Sequence, residues 1–293
     1  MKAMVAKHGS VKGRQRNAAA AAAAPKRKGA RRKSEIPAGA LRRMNRGEEE
    51  TITLVEFLAV DLRGLTRRAL TDGGFPELVK PALAGVDHDR SQMQKLSHIA
   101  RNLYVAVRGT PKLDRLRTML GGHPSDLVRH YACHLVAFDE RLGFAAKLKA
   151  IRPFAADHHM AVREMAWAAV RDDIATQPAR AVRALLPWTK SRDANVRRFA
   201  SEATRPRGVW AEHIEELKTN PAIGLPILEA LKADRSRYVQ NSVANWLNDA
   251  SKSDPAWVRR VCRAWERDSP AEETRFIVRR ALRTLSGGSR KNG

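Results

Sequence analysis

From residue 48 onward, apolar positions recur at helical intervals. Ile52, Val55, Leu58, Ala59 and Leu62 stand at i, i+3, i+6, i+7 and i+10, the spacing of one helix face. Leu96, Ile99, Leu103 and Ala106 line one side of a helix predicted over 91–107. No stretch shows period-two alternation bounded by hairpin turns. The predicted fold class is all-α.

The pattern also repeats on a larger scale. Five segments carry an anchor valine followed by a basic or polar residue and then by small and apolar ones. They begin around Asp126, His159, Asp193, Arg237 and Phe276, with anchors Val128, Val162, Val196, Val239 and Val278. The anchors are 34, 34, 43 and 39 residues apart, periods that belong to stacked helical hairpins of the HEAT or armadillo kind. Val196, Phe199, Ala200 and Ala203 form one apolar stripe. A lone hairpin cannot cover such a stripe, so neighbours must stack into a curved solenoid. Arg129, Arg163, Arg197 and Arg279 each follow an anchor valine, which aligns them in a row. Two roles are open to that row: salt bridges between repeats, or contacts to a polyanion. Around Arg197 the extra bases Arg198, Arg205 and Arg207 favour the polyanion.

Charge divides the chain. Its 55 Lys and Arg outnumber 31 Asp and Glu, for a net +24. Residues 1–47 hold 14 of the bases and a single acid, Glu35, leaving 41 bases against 30 acids for the remainder. The first segment has few large apolar residues and is expected to be disordered, a phosphate-binding tail working by counterion release. The expected organisation is this tail over 1–47, an N-terminal helical cap over 48–120, HEAT-like repeats over 121–286 and a disordered end over 287–293. The +11 on the body implies a polyanionic partner there too.

Several chemistries are excluded. There is no P-loop, G-x-G-x-x-G or G-x-S-x-G. No apolar run is long enough for a membrane span. The two cysteines suit a reducing compartment and exclude a four-cysteine zinc site. His130 and His134 lie i, i+4, but Tyr131 stands where a zincin carries its glutamate, so no metal is expected. What remains is a group of carboxylates, tryptophans and arginines spread over adjacent repeats. Glu164 and Trp167 are i, i+3 on one helix face, and Trp188, Trp210 and Trp246 follow in later repeats.

The run from Val196 to Trp210, Val-Arg-Arg-Phe-Ala-Ser-Glu-Ala-Thr-Arg-Pro-Arg-Gly-Val-Trp, resembles VRRLASEGxRPRLPW of the HEAT-repeat DNA alkylation-repair proteins. Leu225 to Glu229 agrees as well. Tyr238 to Lys252 is similar to YVRKSVANNLNDISK, and Thr274 to Leu285 to WIVRHALRTL. The resemblance is good from about 150 to 286 and points to the AlkC branch, relatives of AlkD that excise 3-methyladenine-type bases. The branch also carries a segment like SEFAIRPF with a catalytic glutamate. Placed about 33 residues before the Val196 run, that segment falls on Arg163 to Trp167 and makes Glu164 the carboxylate. An alternative register on Ala150 to Phe154 matches AIRPF letter for letter, but puts Leu148 at the glutamate position.

The resemblance implies a glycosylase acting on cationic alkylated purines in double-stranded DNA, cytoplasmic and nucleoid-associated, monomeric and without a cofactor. Glu164 and Asp249 would be its carboxylates. Trp167 and Trp210 would supply π-faces to the cationic base. Arg163, Arg197, Arg198, Arg205, Arg207 and Lys252 would hold phosphates, and Asn241 and Asn245 would touch backbone or sugar. A non-catalytic binder of damaged or structured DNA is the alternative. A protein scaffold ranks third, because it leaves the charge unexplained.

Overall fold

The computed structural model describes residues 27–87, 89–208 and 211–286. Among them are eighteen α-helices and no strand. The first four, α1 (Ala38–Arg46), α2 (Leu54–Ala59), α3 (Leu62–Asp72) and α4 (Val79–Ala82), lead into α5 (Gln92–Val107) and α6 (Lys112–Gly121). Next come α7 (Asp126–Phe138), α8 (Phe144–Ala155), α9 (Met160–Ala169), α10 (Arg171–Thr176) and α11 (Pro178–Leu185). The chain continues through α12 (Ala194–Ala203), α13 (Glu215–Thr219), α14 (Leu225–Leu231) and α15 (Arg237–Ala250). It closes with α16 (Pro255–Asp268), α17 (Glu272–Ala281) and α18 (Arg283–Ser286).

These helices form two layers of a curved HEAT-like solenoid. Helices α5, α7, α9, α12, α15 and α17 pack side by side in one row, while α6, α8, α11, α14 and α16 back them. Every anchor valine lies on a row helix and is buried, four of them in the first turn and Val278 in the last turn of α17: Val128, Val162, Val239 and Val278 are at most 1% exposed and Val196 is 3% exposed. Each such side chain contributes about 1.5–3 kcal/mol on burial. No single hairpin supplies the covering surface, so each repeat depends on its neighbour. No helix among the described residues is long and apolar enough to cross a membrane.

Two expectations are corrected. The stripe from Ile52 to Leu62 is not one helix. Asp61 accepts hydrogen bonds from the Arg63 and Gly64 amides and starts α3 anew, and Ile52 and Leu58 are exposed. Likewise, of the predicted face over 91–107, Leu96, Ile99 and Leu103 are core, whereas Ala106 faces solvent and Val107 takes its place.

A third correction concerns the tail. Residues 1–26 lie outside the described residues, as do 287–293, but 27–47 are packed. Ala30, Ile36, Ala40 and Met44 are buried. The fully buried Glu56 carboxylate anchors the segment, accepting from Arg27 at 2.6 and 3.0 Å and from the amides of Ala30 and Ile52 at 2.8 Å. Gly47 ends α1 at φ +74°, where a Cβ would fall 2.6 Å from the His123 ring. Two alanines, Ile36, Met44 and one shared carboxylate seat this segment, too few large apolar residues for a count of them to register. Thr51 then ties the cap to the first repeat, its amide and hydroxyl donating to the buried Asp126 at 3.1 and 2.7 Å.

Candidate active site and nucleic-acid interface

Three row helices bring alternating charges together. Glu164 on α9 accepts from Arg198 on α12 at 2.7 Å. Arg198 also meets Glu202, one turn further along α12, at 3.3 Å. Glu202 pairs with Arg205 at 2.7 Å, and Arg205 bonds Asp249 on α15 through Nε and Nη2 at 2.8 and 2.7 Å. Lys252 lies 3.5 Å from the other Asp249 oxygen. The ladder therefore runs Glu164, Arg198, Glu202, Arg205, Asp249, Lys252. Its middle is dry and its ends are wet: Glu202 and Asp249 are 5% exposed, whereas the Glu164 and Lys252 side chains are 32% and 47% exposed.

Burial pushes the Glu202 carboxyl up, but the charges of Arg198 and Arg205 and the Ser242 hydroxyl outweigh it and hold the group below its ordinary value. That hydroxyl donates to Glu202 at 2.6 Å and accepts from Ser201 at 2.8 Å. Burial opposes the charge on Arg198 and Arg205 as well, yet their carboxylate partners raise both above the usual arginine value. The ladder is a fixed electrostatic scaffold with a carboxylate presented at one open end.

Trp167 has a different part from the one expected. It is 4% exposed, so its face is not free for a base, and its indole N–H donates to Glu164 Oε2 at 2.8 Å. Trp167 thus orients the carboxylate. Tyr238 supplies an aromatic face instead: the Arg198 and Arg163 guanidiniums lie 4.4 and 5.2 Å from its ring centre. Trp246 is fully buried and donates to the Thr204 carbonyl at 2.8 Å. Trp210 lies outside the described residues.

The arginine row proves to be a repeated turn device. Arg129 donates to the carbonyls of His123 and Pro124, Arg163 to those of Asp157 and His158, and Arg197 to those of Ser191 and Arg192, at 2.7–3.1 Å. In each case the acceptors lie six and five residues before the arginine. Arg129 also forks onto Asp157 and bonds Glu50, and Arg197 forks onto Asp234 at 2.6 and 3.0 Å. The inter-repeat reading holds for Arg129 and Arg197, whose donors are occupied inside the fold. This corrects Arg197 as a phosphate ligand, whereas Arg163 commits only Nη1 to its carbonyls and Nε to the Tyr238 hydroxyl at 3.4 Å. Arg207 donates to Ser253 at 2.8 Å and stays half-exposed. Asn245 accepts from Arg283 at 3.1 Å, and Asn241, one turn earlier on α15, is half-buried.

His130 is buried in the core and His134 is half-buried against it. Burial pushes their imidazoles down to about 3 and about 4. His130 packs against Phe57, and His134 stacks on Phe138. Glu50, Asp157 and His158 form a carboxylate and imidazole group within metal-ligand reach of one another, and Arg129 already pairs with both of its acids.

Glu202 is the functional candidate that sequence reasoning missed. Its signal was present: it stands i+4 from Arg198 and i−3 from Arg205, inside the basic Val196 to Trp210 run.

The two-layer helical repeat with a carboxylate and guanidinium ladder across its row helices defines a HEAT-like solenoid built around an ionic site. The sequence matches the family described as DNA alkylation repair enzyme over residues 128–285. That span covers more than half the chain, and the protein belongs to this family. It is 27% identical to the Pseudomonas fluorescens alkylpurine DNA glycosylase AlkC bound to DNA containing an abasic site analog, with a TM-score of 0.64 over 88% of this chain and 65% of that one. The smu.31 protein of Streptococcus mutans UA159 is 25% identical, with a TM-score of 0.54 over 64% of this chain and 90% of that one. AlkD2 from Streptococcus mutans shares the fold at 22% identity, with a TM-score of 0.55 over 70% of this chain and 96% of its own. The uncharacterized protein YhaZ of Bacillus subtilis (strain 168) is 43% identical over 117 residues, 40% of this chain and 32% of that one. The chain therefore spans about a third of this curated relative and under two thirds of the AlkC chain.

Proposed function

We propose that the protein is a DNA glycosylase that hydrolyses the N-glycosidic bond of cationic alkylated purines, of the 3-methyladenine type, in duplex DNA. The observation that carries this reading is the half-exposed Glu164 carboxylate, held at two points by Arg198 and Trp167 at the open end of the buried ladder. A base that already bears positive charge leaves readily and needs little protonation. Its departure builds oxocarbenium-like charge on the deoxyribose, and a fixed carboxylate lowers that barrier and orients water. Glu164 has that role here. Glu202 keeps Arg198 in place and Asp249 keeps Arg205 in place, so both act on geometry behind the reacting sugar. Lys252, Arg207 and the exposed bases of the body hold the phosphates, with no cofactor required.

The test is release of 3-methyladenine from methylated duplex under single-turnover conditions. Glu164→Gln keeps size and hydrogen bonding but loses the charge, and excision is expected to fall about 10²-fold with duplex affinity unchanged. Asp249→Asn is expected to do less. Wild-type excision by Glu164→Gln alongside a dead Asp249→Asn assigns the chemistry to Asp249.

One observation favours a second reading, a non-catalytic binder of damaged or structured DNA. Both Glu164 oxygens are already engaged, one of them by a guanidinium. A wild-type protein that binds methylated duplex yet releases no base establishes that reading.

A further inference from the structure

Arg171 opens α10 and is 1% exposed, one of the largest side chains fully enclosed by the fold. A buried arginine ordinarily has a carboxylate against it. The bonds of this one all run to main-chain carbonyls of a single segment. Nη1 donates to Ala203 at 2.9 Å, Nη2 to Arg205 at 2.7 Å and to Glu212 at 3.1 Å, and Nε to Glu212 at 3.3 Å. Burial, and then the charge of Arg205, push it down to about 10. Such a residue is expensive to keep, and an apolar side chain of similar volume would fill the space at less cost.

The carbonyls it holds explain why it is there. Beyond the end of α12 the chain loses its helical hydrogen bonds just where it carries Arg205 and Arg207. Four consecutive carbonyls there are nevertheless satisfied: Ala203 and Arg205 by Arg171, Thr204 by Trp246 at 2.8 Å, and Pro206 by the Ile214 amide at 3.0 Å. The same guanidinium reaches Glu212 on the returning limb, so one planar group clamps both limbs. The residue whose carbonyl it grips at 2.7 Å is Arg205, the guanidinium that bridges Glu202 and Asp249. Arg171 also lies one residue, Val170, beyond α9, the helix of Glu164 and Trp167. It therefore ties the helix that bears the open carboxylate to the segment that bears Arg205, the rung joining Glu202 to Asp249.

We infer that Arg171 is a positioning residue of the proposed glycosylase site, fixing the backbone of residues 203–207 so that Arg205 spans Glu202 and Asp249. This rests on the reading under Proposed function. Lysine keeps the charge but offers one nitrogen, which cannot grip Ala203, Arg205 and Glu212 together.

The experiment compares wild type with Arg171→Lys in the full chain by two measurements. The first is limited trypsin digestion followed by mass spectrometry, reading cleavage after Arg207 against cleavage at other basic residues. The second is single-turnover excision of 3-methyladenine, separating the plateau rate from the half-saturating protein concentration. We expect selectively faster cleavage after Arg207 and a plateau rate lower by about tenfold, with half-saturation moved less than about threefold. A residue that only fills the core would raise cleavage at all sites together and leave the plateau rate of the folded protein unchanged; that result overturns the inference, as does wild-type behaviour in both measurements. If Arg171→Lys does not fold, Arg171→Gln, which keeps two donors without charge, takes the same two measurements. If the wild type releases no base, the glycosylase reading fails on its own, and selective cleavage after Arg207 still decides whether Arg171 sets this segment.

Discussion

Replacing Glu202 by glutamine measures how much of the ladder is held by a buried charge. The carboxylate is 5% exposed, lies 3.3 and 2.7 Å from Arg198 and Arg205, and accepts from Ser242 at 2.6 Å. Glutamine preserves the Ser242 contact but leaves two largely buried guanidiniums facing a neutral amide. Breaking a buried ion pair from one side costs about 3–5 kcal/mol. Arg198 retains Glu164 and Arg205 retains Asp249, which places the expected loss at the low end, about 3 kcal/mol. Urea unfolding followed by circular dichroism reads this as a lower midpoint with an unchanged slope.

The pH dependence sharpens the test. The folded Glu202 carboxyl sits below its ordinary value of 4.5, because the two guanidiniums and the hydroxyl outweigh the upward push of burial. Its contribution is therefore complete above about 4.5 and is lost as pH falls through the lowered folded value. The gap between wild type and Glu202→Gln should stay constant from pH 7 to about 5 and close below that. A gap under about 1 kcal/mol at pH 7, the size of an exposed pair, refutes the buried-charge account. So does a gap that persists unchanged at pH 3.

Two further outcomes follow from side chains the fold has committed. Arg197→Ala removes the Asp234 fork and two carbonyl contacts, so it should cost about 2–3 kcal/mol of stability in urea titrations and leave duplex affinity unchanged in a salt titration; lost affinity at intact stability would restore Arg197 as a phosphate ligand. Burial holds His130 and His134 at about 3 and about 4, against 6.5 when unfolded, so the unfolded chain binds more protons in between. Stability should fall as pH drops from 6.5 toward 4 by about 1.4 kcal/mol per unit for each histidine, and His134→Phe should remove about half of that slope; a flat profile between these limits refutes it.

Much of the architecture is legible from local pattern. Five valines spaced by 34 to 43 residues locate five row helices, because helical periodicity and the need to cover an apolar stripe act over a few turns of chain. The pairing of Glu164 with Trp167 is also local, an i, i+3 contact on one helix. The Val196 to Trp210 run marks the segment that carries Arg198, Glu202 and Arg205.

What each charge meets was decided by packing. Arg197 and Arg198 are adjacent in sequence, yet one is consumed by Asp234 and its own turn while the other faces Glu164 and Glu202. Neighbouring residues on a helix point about 100° apart, so one meets the inter-repeat turn and the other the site. Glu56 seats a segment that looks like a loose tail, and Arg171 clamps a loop that sequence offers no reason to connect with α10. Both work through main-chain groups distant in sequence. A backbone amide or carbonyl carries no residue-specific signature, so its partner is set only once the repeats have stacked.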